Sequence, residues 1–205
     1  MTDFYRHGLY LITPDTDDSY QLLRQVARVL PFAACLQYRN KRADDVRRLA
    51  EAAALRELSK MHGVCFIVND DVWLAHEVAA DGVHLGETDG SLQTAREWLG
   101  ESAIVGISCY DDTERARAAA AQGADYVAFG AVFASATKPG ARAAPLTLFA
   151  DAADIRVPKV AIGGITPDNA HQVVAAGADM IAVIGGVFAA DNPVDAAQRC
   201  AAVFD

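Results

Sequence analysis

The chain has 205 residues, is 52% apolar and carries a formal net charge of −9. That length supports one sizeable core, and so one domain over residues 1–205. The acidic balance excludes a broad nucleic-acid face, and no apolar run free of charges and breakers is long enough to cross a bilayer.

Met1 to His7 lack the basic start and apolar stretch of a signal peptide, so a cytoplasmic location is the expectation. The first apolar run, Gly8–Ile12, reads as a strand. A helix follows over Tyr20–Leu30, with Leu22, Leu23, Val26 and Val29 at helical spacing. The second strand is Ala34–Tyr38, followed by an Ala-, Leu- and Arg-rich helix over Ala43–Met61. Strands are then expected at Val64–Val68, Gly82–Leu85 and Ile104–Ile107, with a short helix from Val72. A helix over Asp112–Gln122 starts on acidic residues and stops at Gly123. The remaining strands are Tyr126–Phe129, Val160–Ile162 and Met180–Ile184. Thr166-Pro167 opens one helix, which stops at Gly177, and Pro193 opens the last, ending near Val203.

Eight near-continuous apolar strands alternating with helices predict a single (β/α)8 TIM barrel, with phosphate-binding loops at the C-terminal face of the strands. An open doubly wound sheet is the alternative, but its glycine fingerprint is missing after the first strand, which runs into Thr13-Pro14-Asp15. The unit Ala-Gly-Ala-Asp and its variants precede strands at Asp81, Asp125 and Asp179, and read as architecture. Cys35, Cys65, Cys109 and Cys200 contain no C-x-x-C pair and read as buried thiols.

In a barrel the chemistry gathers at the carboxyl ends of the strands. Gln37, Arg39 and Lys41 alternate through the end of the second strand and suit a diphosphate, although with Arg42 next to them a solvated basic loop also fits. Asn69-Asp70-Asp71 ends the third strand. One of these carboxylates is expected to cap the following helix, and the other could face a hard cation. Glu87 and Asp89 form a second acidic cluster after the fourth strand, where His84 reads as a satisfied interior histidine. Ser108 ends the fifth strand with no triad around it, and Cys109 has no activating base. After the sixth strand, Ser135, Thr137 and Lys138 offer hydroxyls and an ammonium to an oxyanion. The seventh and eighth strands end in Gly163-Gly164 and Gly185-Gly186. There bare amides could approach a phosphate, or the glycines could serve tight packing at the rim.

In order and spacing, these tips resemble those of the thiamine phosphate synthase family. The quotable motifs are Gln37-Tyr38-Arg39-Asn40-Lys41, Phe66 through Asp71, Asp81 through Asp89, Gly106-Ile107-Ser108, Gly130 through Lys138, and Ala161 through Ile165. The resemblance implies a Mg2+-dependent condensation. 4-Amino-2-methyl-5-hydroxymethylpyrimidine diphosphate and 4-methyl-5-(2-phosphoethyl)thiazole give thiamine phosphate and diphosphate by a dissociative route. It implies that Gln37, Arg39, Lys41, Asn69, Ser108 and Lys138 bind the pyrimidine diphosphate, and that Asp70 and Asp89 hold Mg2+. It places the thiazole phosphate at Ser135, Ala136, Thr137, Gly164, Ile184 and Gly185. The chain departs from the family pattern at Glu87, Ala131, Ser135 and Gly185, where the family usually has Gln, Pro, Thr and Ser. The rival readings are a thiazole tautomerase, which uses a histidine where Tyr110 stands, a Schiff-base aldolase on Lys41, Lys138 or Lys159, and a non-catalytic binder. A homo-oligomer is left open.

Overall fold

Eight parallel strands close on themselves in chain order, β1 to β8. The structure, a computed structural model, describes residues 7–134 and 143–205. The strands are β1 Gly8–Ile12, β2 Cys35–Tyr38, β3 Cys65–Asn69, β4 Gly82–Leu85, β5 Ile104–Tyr110, β6 Tyr126–Gly130, β7 Lys159–Ile162 and β8 Met180–Val183. The helices are α1 Ser19–Val29, α2 Asp45–His62, α3 Val72–Glu77, α4 Leu92–Leu99, α5 Thr113–Ala121, α6 Thr147–Asp151, α7 Ala170–Ala175, α8 Gly185–Phe188 and α9 Pro193–Ala201. The expected (β/α)8 barrel is therefore the fold.

Period-two alternation splits the apolar residues into two cores. Leu9, Leu11, Leu36, Phe66, Val68 and Val83 face outward and pack with Leu22, Val26, Leu55 and Leu74 of the helices. Tyr10, Ile12, Cys35, Cys65, Ile67, Tyr126, Val160 and Met180 fill the inside of the barrel. The four cysteines are free and buried, as expected.

Asp18, Asp44, Asp71 and Asp112 each accept a backbone N–H from the first turn of their helix, which explains the acidic residues preceding these helices. The recurrent Asp before a strand also has a structural role. Asp81 Oδ2 accepts Phe66 N–H at 2.9 Å, Asp125 Oδ2 accepts Val105 N–H at 2.7 Å, and Asp179 Oδ2 accepts Lys159 N–H at 2.7 Å. Arg56, Arg96 and Lys159 neutralise these three carboxylates. Each aspartate satisfies a strand-starting amide at the N-terminal rim that would otherwise lack a partner. Lys159 is thus bound at the end of the barrel opposite the strand tips, which removes it as an aldolase lysine.

Three differences from the sequence reading have physical causes. Strand β5 runs on to Tyr110, with a register shift between Ser108 and Tyr110 against β6 and with Tyr110 at φ 55°. The bulge re-aims this tip. Helix α4 was not anticipated, although Ser91 caps it by accepting Thr94 N–H. The segment from Thr166 becomes α-helical only at Ala170, because Asn169, not Thr166, organises it. The Asn169 side chain accepts Thr166 N–H at 2.8 Å and donates to Gly164 O at 3.0 Å.

Candidate active site

The described site residues converge on the carboxyl ends of the strands. The β1 tip splints the β2 tip. Thr13 Oγ1 donates to Arg39 O at 2.7 Å and accepts Arg39 N–H at 2.8 Å. Asp15 then holds both cationic positions: its Oδ2 accepts Arg39 Nη1 at 2.8 Å and its Oδ1 accepts Lys41 N–H at 2.7 Å. Sequence reasoning missed Asp15, because its partners lie 24 and 26 residues away. Burial pulls the Asp15 carboxyl upward. The Lys41 amide and the Arg39 guanidinium outweigh it and leave the group below the usual carboxylate value. Its stabilisation is therefore complete above the unfolded pKa of about 3.9 and is lost as pH falls through the depressed folded value. Asp15→Asn is expected to melt below wild type at neutral pH. The gap should shrink on acidification, as thermal melts from pH 7 to pH 2 would show.

Between the two cations, Asn40 is anchored away from the rim. It donates to Thr16 O at 2.9 Å and to Glu51 Oε2 at 3.0 Å. Glu51 is 2% exposed and also accepts from Ser19 Oγ at 2.6 Å and Tyr38 Oη at 2.8 Å. This buried carboxylate on α2 ties together α1, the β2 tip and the loop carrying Arg39 and Lys41. It too was missed, since a glutamate in an Ala-rich helix reads as surface.

Along the β2 alternation Gln37 sits deeper than Arg39 and Lys41. It is buried in the mouth of the barrel, and its Nε2 donates to Tyr10 Oη at 2.9 Å. The solvated-loop alternative fails for Arg39, which is largely buried in its ion pair, while Lys41 remains mostly exposed.

The two aspartates at the β3 tip divide the labour. Asp71 caps α3 through Leu74 N–H at 2.9 Å and pairs with Arg48 at 2.6 Å. Asp70, at φ 65°, turns toward Asp89, and Lys41 Nζ lies 3.8 Å from Asp70 Oδ2. The left-handed backbone at Asp70 costs on the order of 1 kcal/mol. Asp89 is fixed by Gly86 N–H at 2.9 Å, whereas Glu87 is exposed to solvent. Desolvation and the facing Asp89 charge raise the Asp70 carboxyl above its ordinary value, against the pull of Lys41. Two hard oxygen donors repelling one another fit a divalent cation that keeps several of its waters. Among the described residues, no group of three or more His, Cys, Asp or Glu side chains could hold a metal.

At the β5 tip, Ser108 Oγ lies 2.8 Å from His84 Nε2, so His84 is the satisfied interior histidine expected of it. Burial pushes the Cys109 thiol up to about 12, far from a reactive thiolate.

The glycine turns separate into packing and space. A Cβ on Gly163 would meet Ala131 Cβ at 2.5 Å, one on Gly164 would meet Ala134 O at 2.4 Å, and one on Gly186 would meet Ile165 O at 2.2 Å. These three glycines let the tips of β6, β7 and β8 close together. A Cβ on Gly185 meets nothing within 4 Å. Helix α8, which starts at Gly185, has four residues, so its dipole is small and the bare amides carry any anion-holding capacity. Ile184 lies just beyond β8 and precedes this turn. Gly185→Ser is expected to leave the unfolding free energy, read by denaturant titration, within about 0.5 kcal/mol of wild type. A large loss would mean the open space is filled. Ser135, Ala136, Thr137 and Lys138 lie outside the described residues.

Cations, a carboxylate pair and bare amides on one barrel rim define a class: a TIM-barrel enzyme that handles phosphorylated small molecules. Comparison with known proteins is more specific. The family model for thiamine monophosphate synthase matches residues 9–187. Thiamine-phosphate synthase of Xanthomonas campestris pv. campestris (strain 8004) is 57% identical over 96% of this chain and 95% of its own. The Azoarcus sp. (strain BH72) enzyme of the same name is 58% identical over 96% and 97%. A solved thiamine phosphate pyrophosphorylase from Pyrococcus furiosus superposes with a TM-score of 0.86 at 32% identity, covering 97% of this chain and 96% of that one. The chain belongs to the thiamine monophosphate synthase family.

Proposed function

We propose that the protein joins a pyrimidine-methyl diphosphate to a thiazole phosphate, forming thiamine phosphate and releasing diphosphate. The observation that carries this reading is the gathering of Arg39, Lys41, Asp70, Asp89 and Ser108 on one rim, in a chain 57% identical to a thiamine-phosphate synthase.

The bond that breaks joins the pyrimidine's methylene carbon to the diphosphate oxygen, and its electron pair leaves with the diphosphate. The bond that forms joins that carbon to the thiazole nitrogen, whose lone pair supplies it. No proton is transferred, so no general base is required, in keeping with the inert Cys109 and the hydrogen-bonded Ser108. Arg39, already held at its Nη1 by Asp15, and Lys41 would face the charge growing on the leaving oxygens. Ser108, Asn69, Gln37 and, from the sequence, Lys138 would complete that pocket. Asp70 and Asp89 would hold Mg2+, which when bound neutralises diphosphate charge. The amides of Gly164 and Gly185, with Ile184 and the 135–137 segment, would receive the thiazole phosphate. Because the rim positions both partners before reaction, much of the acceleration is orientational.

The test is direct. Incubating both phosphorylated heterocycles with Mg2+ should yield thiamine phosphate, detected as its fluorescent thiochrome, and adding a chelator should abolish it. Failure to form the product from authentic substrates would refute the reading.

A further inference from the structure

The interior of the barrel contains a polar thread of which this reaction scheme uses only the two ends. Gln37 Nε2 lies 2.9 Å from Tyr10 Oη, and Tyr10 Oη lies 2.7 Å from Tyr126 Oη. Tyr126 Oη lies 3.0 Å from His84 Nδ1, and His84 Nε2 lies 2.8 Å from Ser108 Oγ. The His84 ring stacks on Tyr126 with centroids 5.5 Å apart. Gly106 makes the room, since a Cβ there would sit 1.9 Å from Tyr126 Cζ. The thread thus joins two candidate diphosphate contacts, Gln37 and Ser108, through two wholly buried tyrosines.

We propose that this thread has a fixed sense, and that Tyr10 and Tyr126 are positioning residues that make Ser108 a hydrogen donor to the bound diphosphate. The amide nitrogen of Gln37 can only donate, so Tyr10 Oη accepts. The single hydrogen of Tyr10 then goes to Tyr126 Oη, and that of Tyr126 to His84 Nδ1. His84 is thereby the neutral tautomer with its hydrogen on Nε2, which it gives to Ser108 Oγ. The Ser108 hydrogen is left for the ligand. Burial holds both phenols well above their ordinary pKa, so each keeps its one hydrogen. The opposite sense makes Tyr10 Oη accept from both Gln37 and Tyr126 and leaves the buried Tyr10 hydrogen without an acceptor in the thread. Ser108 would then donate to His84 and present lone pairs to an anion, which is repulsive. The inference rests on the reading of Ser108 as a diphosphate contact.

The experiment uses protein labelled with 15N-histidine, with the His84 signals assigned by their absence in His84→Gln. Wild type should show Nε2 protonated and Nδ1 bare. Tyr10→Phe, although residue 10 does not touch His84 in the thread, should populate the Nδ1–H form. It should also weaken binding of inorganic diphosphate, titrated in the presence of Mg2+, by about tenfold, the lower end expected for a hydrogen bond to a charged group. A wild-type His84 protonated on Nδ1 overturns the proposal whether or not the variant folds. A Tyr10→Phe protein with unchanged tautomer and unchanged diphosphate affinity also overturns it. Absence of thiamine phosphate formation with both signatures intact would instead remove the reaction and leave the thread standing.

Discussion

Asp70→Asn lowers kcat/KM for thiamine phosphate formation by about 10²- to 10³-fold and at the same time raises the melting temperature of the unliganded protein. The first effect follows from the role proposed for Asp70, a hard, charged oxygen ligand to the cation that neutralises the leaving diphosphate, and is comparable to deleting one preorganised electrostatic group. The second follows from the repulsion between Asp70 and Asp89, which Lys41 at 3.8 Å and the Asn69 side chain relieve only in part. Asparagine also tolerates the left-handed backbone at this position. The sign with pH is fixed by the raised folded pKa of Asp70. Its cost to the fold is absent below the unfolded value of about 3.9 and develops as pH rises through the folded one. The melting advantage of Asp70→Asn over wild type should therefore open as pH rises, the reverse of the trend for Asp15→Asn. Melts across pH and a Mg2+ titration of activity check both halves. A Mg2+ response identical to wild type would remove Asp70 as a ligand, and a lowered melting temperature would remove the repulsion argument.

Glu51→Ala is the substitution expected to harm the fold most. It strands the Tyr38 and Ser19 hydroxyls, takes one of two acceptors from the Asn40 amide, and removes a counter-charge 3.7 Å from the Arg47 guanidinium. Breaking a buried charged cluster from one side costs about 3–5 kcal/mol. For a chain of this size that lowers the melting temperature by roughly 6–20 °C. Tyr38→Phe removes one partner only and should cost about 1 kcal/mol. Denaturant unfolding of the two variants separates these magnitudes. Because Asn40 lies between Arg39 and Lys41, any folded Glu51→Ala protein should also bind diphosphate more weakly. Equal stability of Glu51→Ala and Tyr38→Phe would show that the cluster relaxes without penalty.

The loss of Asp71 to a helix cap and the survival of Asp70 at the site illustrate where legibility stops. Both carboxylates stand at the same strand tip with the same chemistry. Only the backbone, which sends Asp71 to Leu74 N–H and Asp70 to Asp89, separates them. The Gly-Gly turns behave alike in sequence, yet Gly163 and Gly164 are needed for close packing while Gly185 faces open space. Gln37 was legible as a polar residue near the tip, but its burial beside Tyr10 was not.

Eight buried parallel strands are written locally, as apolar runs bounded by caps and glycines, because each satisfies its backbone with its neighbours and needs no distant signal. The positions of Arg39, Lys41, Asp70 and Ser108 were readable for a similar reason: each stands at or just past the carboxyl end of such a run. Tyr10 and Tyr126 meet across 116 residues, Asp15 reaches Arg39 across 24, and Glu51 reaches Ser19 across 32. Those pairings depend on the curvature and stagger of the closed barrel, which bring side chains of unremarkable sequence context within hydrogen-bonding distance, and so only the tertiary structure decided them.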